Sequence, residues 1–312
     1  MIPPGNRAGE LIVGKRAWLV TVFSGESCCY QLTRSVFGRY PQRMKGHSVS
    51  GGGGRRYGPL AERFAYHPLW VFIFATALAE WVSPVAAIWA VALLSFCAFR
   101  EYISLVAIRL EDRWGILVSF CSIPFMFYLV QIDWYGLFII SVPVYTFLLV
   151  PCLVALGGTS KGMLFSIGLL DFGLFFYIFC LGHFAYLLIF ATPLAVLMLA
   201  LVVVVDFIYQ APWIRSRVMR LGLMWLACGW ITALVAPWVA LPWVHAVTLG
   251  VLIPLAVCLG RFTLSKMEED MGIRDALRQP GRGRLICSLK SYLFLAPLFF
   301  HYLRWFFRWG DL

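Results

Sequence analysis

Apolar and polar residues fall in long alternating blocks along this chain. The first apolar block runs from His67 to Phe99. It is too long for one membrane-crossing helix of about 20 residues, and Ser83-Pro84 divides it, because proline lacks the amide proton that a helix interior needs. The pattern predicts a tight helical hairpin with Glu80 near its turn. After the charged stretch Arg100–Arg113, further apolar blocks cover Trp114–Gln131, Trp134–Val154, Met163–Phe190, Thr192–Val205, Leu221–Pro237, Trp243–Gly260 and Tyr292 to about Phe307. Asp133, Pro193 and the apolar turn Trp238–Pro242 separate neighbouring blocks. The expected fold class is all-α, a polytopic transmembrane helical bundle of about nine spans.

Composition excludes the soluble alternative. The chain is 61% hydrophobic and 13% charged, against roughly 45–50% and about 25% in a soluble domain. Its net charge of +11 is an electrostatic footprint that nucleic acid could match. Here the location of the charge argues for a membrane and against a nucleic-acid partner. Counting spans alternately from a cytoplasmic N-terminus puts 1–66, 100–113, 155–162, 206–220 and 261–291 on one side, and these hold every Lys and Arg except Arg304 and Arg308. The turns near Ser83, Asp133, Ala191 and Ala240 hold none. That is the positive-inside pattern, and it predicts an N-terminus in the cytoplasm and a C-terminus on the far side. Arg304 and Arg308 can snorkel to the far headgroups.

Two domains are expected: a basic, largely disordered cytoplasmic arm over 1–66 and a transmembrane domain over 67–312. Up to Arg63, ten Lys and Arg residues face three Glu, and Gly51–Gly54 form a tether. Lys15-Arg16 before the apolar patch Ala17–Phe23 hints at a signal peptide, but no clean cleavage site follows. The nine cysteines include no C-x-x-C pair, so neither a disulfide framework nor a zinc site is expected.

Polar residues inside apolar blocks are costly and carry the candidate chemistry. Asp171, within LLDFGLFF, reads as a substrate or cation contact or as a structural hydrogen-bonding group. His183 reads as a satisfied structural histidine, and His301 as structural or interfacial. Asp206 ends a run of four valines. It reads as a divalent-cation ligand, since hard cations take carboxylate oxygen, or as an ordinary acid at a helix end.

The stretch Arg261–Tyr302 carries most charges of the C-terminal half. An acid-rich cluster with Glu268, Glu269, Asp270 and Asp275 leads to the turn Pro280-Gly281-Arg282-Gly283-Arg284 and a basic segment ending at Lys290. Amides of a glycine-rich turn flanked by arginines can hold phosphate oxygens, and the same residues also suit a loop that faces lipid headgroups.

Over roughly residues 68–308 the sequence resembles the phosphatidate cytidylyltransferase (CDP-diacylglycerol synthase) family, in its divergent bacterial branch. The family signature S-x-x-K-R-x4-K-D-x-G-x3-P-G-H-G-G-x2-D-R-x-D is matched at Ser265, Asp275, Pro280, Gly281 and Gly283. Arg100–Leu105, Trp134–Ile140 and Ala296–His301 add further similarity, and Asp206 matches the acid that ends an upstream family helix. The segment before Pro280 is one residue shorter than the signature, the family's upstream S-P-N-K-T-W-E-G loop is not found, and the other departures concern charge. Glu268-Glu269 replace the Lys-Arg pair, Arg274 replaces a lysine, Arg282 and Arg284 replace the His and last Gly of the turn, and Cys287 and Lys290 replace both terminal acids.

The resemblance implies a CTP-dependent nucleotidyl transfer to phosphatidate, assisted by Mg2+ held on carboxylates. It assigns phosphate contacts to Ser265, Arg274, Gly281, Arg282, Gly283, Arg284 and Lys290. Metal contacts fall to Asp206, Asp270 and Asp275, and the catalytic acids of an active enzyme would be Asp275 and Asp270. The lost acids favour a catalytically degenerate protein. It would bind an anionic, phosphatidate-like phospholipid or CTP, or support a lipid-synthesis enzyme, with a homodimer among the candidate assemblies. An active enzyme with a rebuilt Mg2+ site is the second reading and a transporter the third; without activity no cofactor is expected.

Overall fold

Ser83 and Pro84 turn the first apolar block back on itself. Helix α1 covers Leu69–Trp81 and α2 covers Pro84–Leu105. Ser83 caps α2, its Oγ accepting from the Val85 amide at 3.2 Å, and Pro84 takes a first-turn position where no amide donor is needed. The computed structural model describes residues 69–156, 161–211, 214, 216–239, 241–273 and 283–307. It continues with α3 (Arg113–Gln131), α4 (Tyr135–Ala155), α5 (Met163–Phe190), α6 (Thr192–Gln210), α7 (Arg217–Val235), α8 (Trp243–Asp270), α9 (Arg284–Leu293) and α10 (Leu295–Phe306). The last two run on as one span over Leu285–Phe306.

Among the described residues there is no strand, and eight helical segments are long and apolar enough to cross a membrane. The protein is an integral membrane protein built as an all-α bundle. The 13 described residues of α1 reach about 20 Å, short of the roughly 30 Å hydrocarbon layer. Helix α5 has the largest buried share of any span and α7 the smallest, so α5 is central and α7 peripheral.

The order of spans agrees with the hydrophobic pattern, but the helix ends do not. Helix α2 runs past Phe99 and carries Arg100 and Glu101. Helix α6 continues to Gln210, which puts Asp206 inside it rather than at its end. Helix α8 continues to Asp270, and the final span begins at Arg284 rather than Tyr292. A polar residue ends an apolar run without ending a helix. At Gly272 there is a true stop, with φ 72°. The Gly272 and Ile273 amides donate to Glu269 O and Glu268 O, both at 3.2 Å, closing α8 with a Schellman motif over the buried Ile273.

Two spans contain π-helical segments. In α4 the segment Ser141–Thr146 includes Pro143, whose ring removes one ladder donor. Thr146 Oγ1 donates back to Ser141 O at 3.0 Å. In α5 the segment Leu174–Cys180 follows Gly173, and Ser95 of α2 donates to Tyr177 O at 2.6 Å. Hydroxyls thus serve carbonyls that lipid could not.

Close helix approach depends on glycine. A Cβ on Gly250 of α8 would lie 2.9 Å from Gly229 Cα of α7. Gly250→Ala is expected to destabilise the protein by about 1–3 kcal/mol. Thermal unfolding in detergent measures this, with Gly136→Ala as control, because a Cβ at Gly136 meets nothing within 4 Å.

Candidate functional site

Helices α6, α8 and α9 meet near one end of the bundle around a buried ionic centre. Asp206 Oδ1 accepts from Arg261 NH1 at 2.8 Å and from Ser291 Oγ at 2.7 Å. Arg261 NH1 also donates to Ser291 Oγ at 3.0 Å, and its guanidinium lies 4.6 Å from the centre of the Tyr209 ring. Glu268 follows Arg261 on α8 by seven residues, about two turns, and so shares its face. Its Oε2 accepts from Lys290 Nζ, the neighbour of Ser291 on α9. Asp206, Glu268 and Lys290 are 6%, 5% and 6% exposed. Charges this buried persist only when paired, and each has its counter-charge.

A carboxylate from another helix fixes the start of α9. Glu101 Oε2 on α2 accepts from the Leu285 and Ile286 amides at 3.1 and 3.3 Å. Those first-turn amides have no partner within their own helix, and a negative charge suits that end of the helix dipole. Nearby, Arg109 makes a two-pronged contact with the buried Asp112 and donates to Lys161 O at 2.6 Å. This joins the α2–α3 and α4–α5 connections.

The structure therefore distributes the sequence candidates unevenly. Asp206 and Lys290 belong to one buried centre. Ser265 is half-buried on α8, and Asp270 is exposed as the last residue of that helix. Gly283 precedes α9 with φ 66°, and Arg284 is the first residue of α9. Arg274, Asp275, Gly281 and Arg282 lie outside the described residues.

The resemblance calls for Mg2+, and the described residues do not fit it. A divalent cation needs converging carboxylate oxygens. Here Asp206 converges on Arg261 and Ser291, and Glu268 on Lys290. Among the described residues no three His, Cys, Asp or Glu side chains group for a metal.

Asp171 and His183 stand elsewhere, both on α5. Asp171 is half-buried, and its Oδ1 has no hydrogen-bond partner among the described residues. His183 is fully buried and bonded through both ring nitrogens: Nδ1 lies 2.8 Å from Phe179 O and Nε2 3.2 Å from His301 Nε2. Phe138, Phe179 and Phe300 pack edge-on around it. The pair joins α5 to α10. Twelve residues separate Asp171 from His183, about 18 Å along a helix, so they do not form one polar site.

Sequence reading missed Glu101, Arg261 and Ser291 as members, and took Glu268 as part of an acid-rich cluster and a departure from a signature. The seven-residue spacing of Arg261 and Glu268 was the available signal. It becomes visible only once α8 is known to continue beyond Gly260.

Fold and site together define the class: a helical integral membrane protein with an internally neutralised ionic centre near one end. No family model and no solved structure matches the chain. The chain is 28% identical over 236 residues to a protein of Escherichia coli strain K12 described as "Uncharacterized protein YnbB", a similarity covering 69% of this chain and 78% of that protein.

Proposed function

We propose that this chain is a cytidylyltransferase-like protein of phospholipid metabolism that has lost catalysis and binds an anionic phospholipid headgroup or nucleotide. It sits in the bacterial inner membrane with its N-terminus and the ionic centre toward the cytoplasm, because Arg100, Arg109, Arg113, Lys161, Arg217 and Lys266 belong to that end. One observation carries the reading. The cytidylyltransferase signature has a base where this chain has Glu268 and an acid where it has Lys290. Both signs are reversed here, and the two side chains meet in an ion pair. Reversals at independent positions have no reason to end in contact. The contact between the two sign-reversed positions supports descent from such a site followed by loss of its acids.

The chemistry follows from the exchange. Phosphoryl-group transfer depends on positioning and on neutralising charge, largely through metal held by carboxylates. A lysine at 290 can attract phosphate but cannot template two oxygens as a metal does. The test is full-length protein in nanodiscs with CTP, Mg2+ and phosphatidate. No CDP-lipid above the empty-nanodisc background is expected, while phosphatidate is retained over phosphatidylcholine in native mass spectrometry. Robust CDP-lipid formation overturns the loss of catalysis, and absence of any retained anionic lipid or CTP overturns the binding role.

A further inference from the structure

A protonated lysine amine has three donors. Among the described residues the Lys290 ammonium has one acceptor, Glu268 Oε2, although it is only 6% exposed. Two donors of this buried cation therefore have no acceptor among the described residues. A buried ammonium that is partly satisfied is costly, and oxygen acceptors are what it needs. Its position suits a ligand from the interface. Lys290 lies six residues into α9 from Arg284, about 9 Å along the axis. Glu268 lies two residues before the end of α8. The ammonium thus sits a short way inside the end of the bundle, at the depth where a lipid phosphate or the phosphate of a soluble nucleotide can arrive.

Resting on the binding role proposed above, we infer that Lys290 is the ligand-binding cation of this chain and takes phosphate oxygens without a divalent metal. Glu268 aims the amine through their ion pair. Asp206, Arg261 and Ser291 hold the neighbouring turn of α9 in place. The buried carboxylates of this centre, Asp206 and Glu268, are already committed to these cations, so affinity is expected not to depend on metal.

The experiment measures binding of phosphatidate, and separately of CTP, to the full chain in nanodiscs, with 5 mM EDTA or about 5 mM Mg2+. Phosphatidate in phosphatidylcholine discs probes the lipid source, and CTP the soluble one. The expected result is an affinity that differs less than about twofold between EDTA and Mg2+ for the phosphate that binds. Lys290→Met alone removes the cation from beside the buried Glu268 carboxylate, so the decisive variant is Glu268→Gln with Lys290→Met, which removes both charges together. It should stay folded and lose at least about tenfold in affinity, whereas Lys290→Arg should retain most of it. Binding that requires Mg2+, or that is unchanged in the double variant, overturns this inference and leaves the binding role standing. No binding of either probe under both conditions rejects the binding role and this inference with it.

Discussion

Lys290→Asp should destabilise the protein by about 3–5 kcal/mol, because it sets two carboxylates against each other in a buried site. Glu268→Lys alone should do comparable damage. Combined, Glu268→Lys and Lys290→Asp rebuild an ion pair of opposite polarity, and most of the lost stability should return. Denaturant unfolding of the four proteins in detergent closes the double-mutant cycle, and the coupling free energy is the measured quantity. Additive losses would mean that the contact between these two residues contributes little. The cycle tests the contact apart from any ligand, because it reads stability only.

The second large effect should come from Gly173→Leu. A Cβ at Gly173 already lies 2.6 Å from Tyr102 Cε1 and 2.8 Å from Phe99 Cε2. Both rings are fully buried, and Tyr102 is further pinned by donating to Leu169 O at 2.9 Å. Neither can swing away, so α2 and α5 must separate. The expected cost is about 3 kcal/mol or more, the upper range for overpacking. Separation would also break the Ser95 contact to Tyr177 O in the π-helical segment. Faster amide exchange over Leu174–Cys180 in the variant is the accompanying readout, and unchanged exchange there would show that α2 does not brace the segment.

The span order was legible because lipid imposes it. Each crossing must be apolar and about 20 residues long, and that signal survives in one dimension. Helix ends were less legible, since they are set by caps and packing. Asp206 looked like the first residue of a connection, yet α6 runs four residues beyond it to Gln210. The candidate site was legible by residue type and illegible by pairing. Glu268 and Lys290 stood out as wrong-signed, but only the fold brings residues 22 positions apart into contact. Arg261 and Asp206 are 55 apart, and no local rule connects them. The hydrogen bond between His183 and His301 spans 118 positions, so each histidine alone gave no hint of the other.

The pairing of α9 with earlier helices has a consequence for biogenesis. Its span is the least apolar of the eight and carries the buried Lys290 near its start. A lysine costs about 2.5–3.5 kcal/mol at the centre of an inserting helix in translocon experiments and less toward the end, where Lys290 lies. That penalty is relieved only when Glu268 is already in place to receive the charge. Docking onto helices inserted before it is therefore the expected route for the final segment, and a nascent chain that stops short of that step leaves the buried Glu268 without the Lys290 cation for membrane quality control to find.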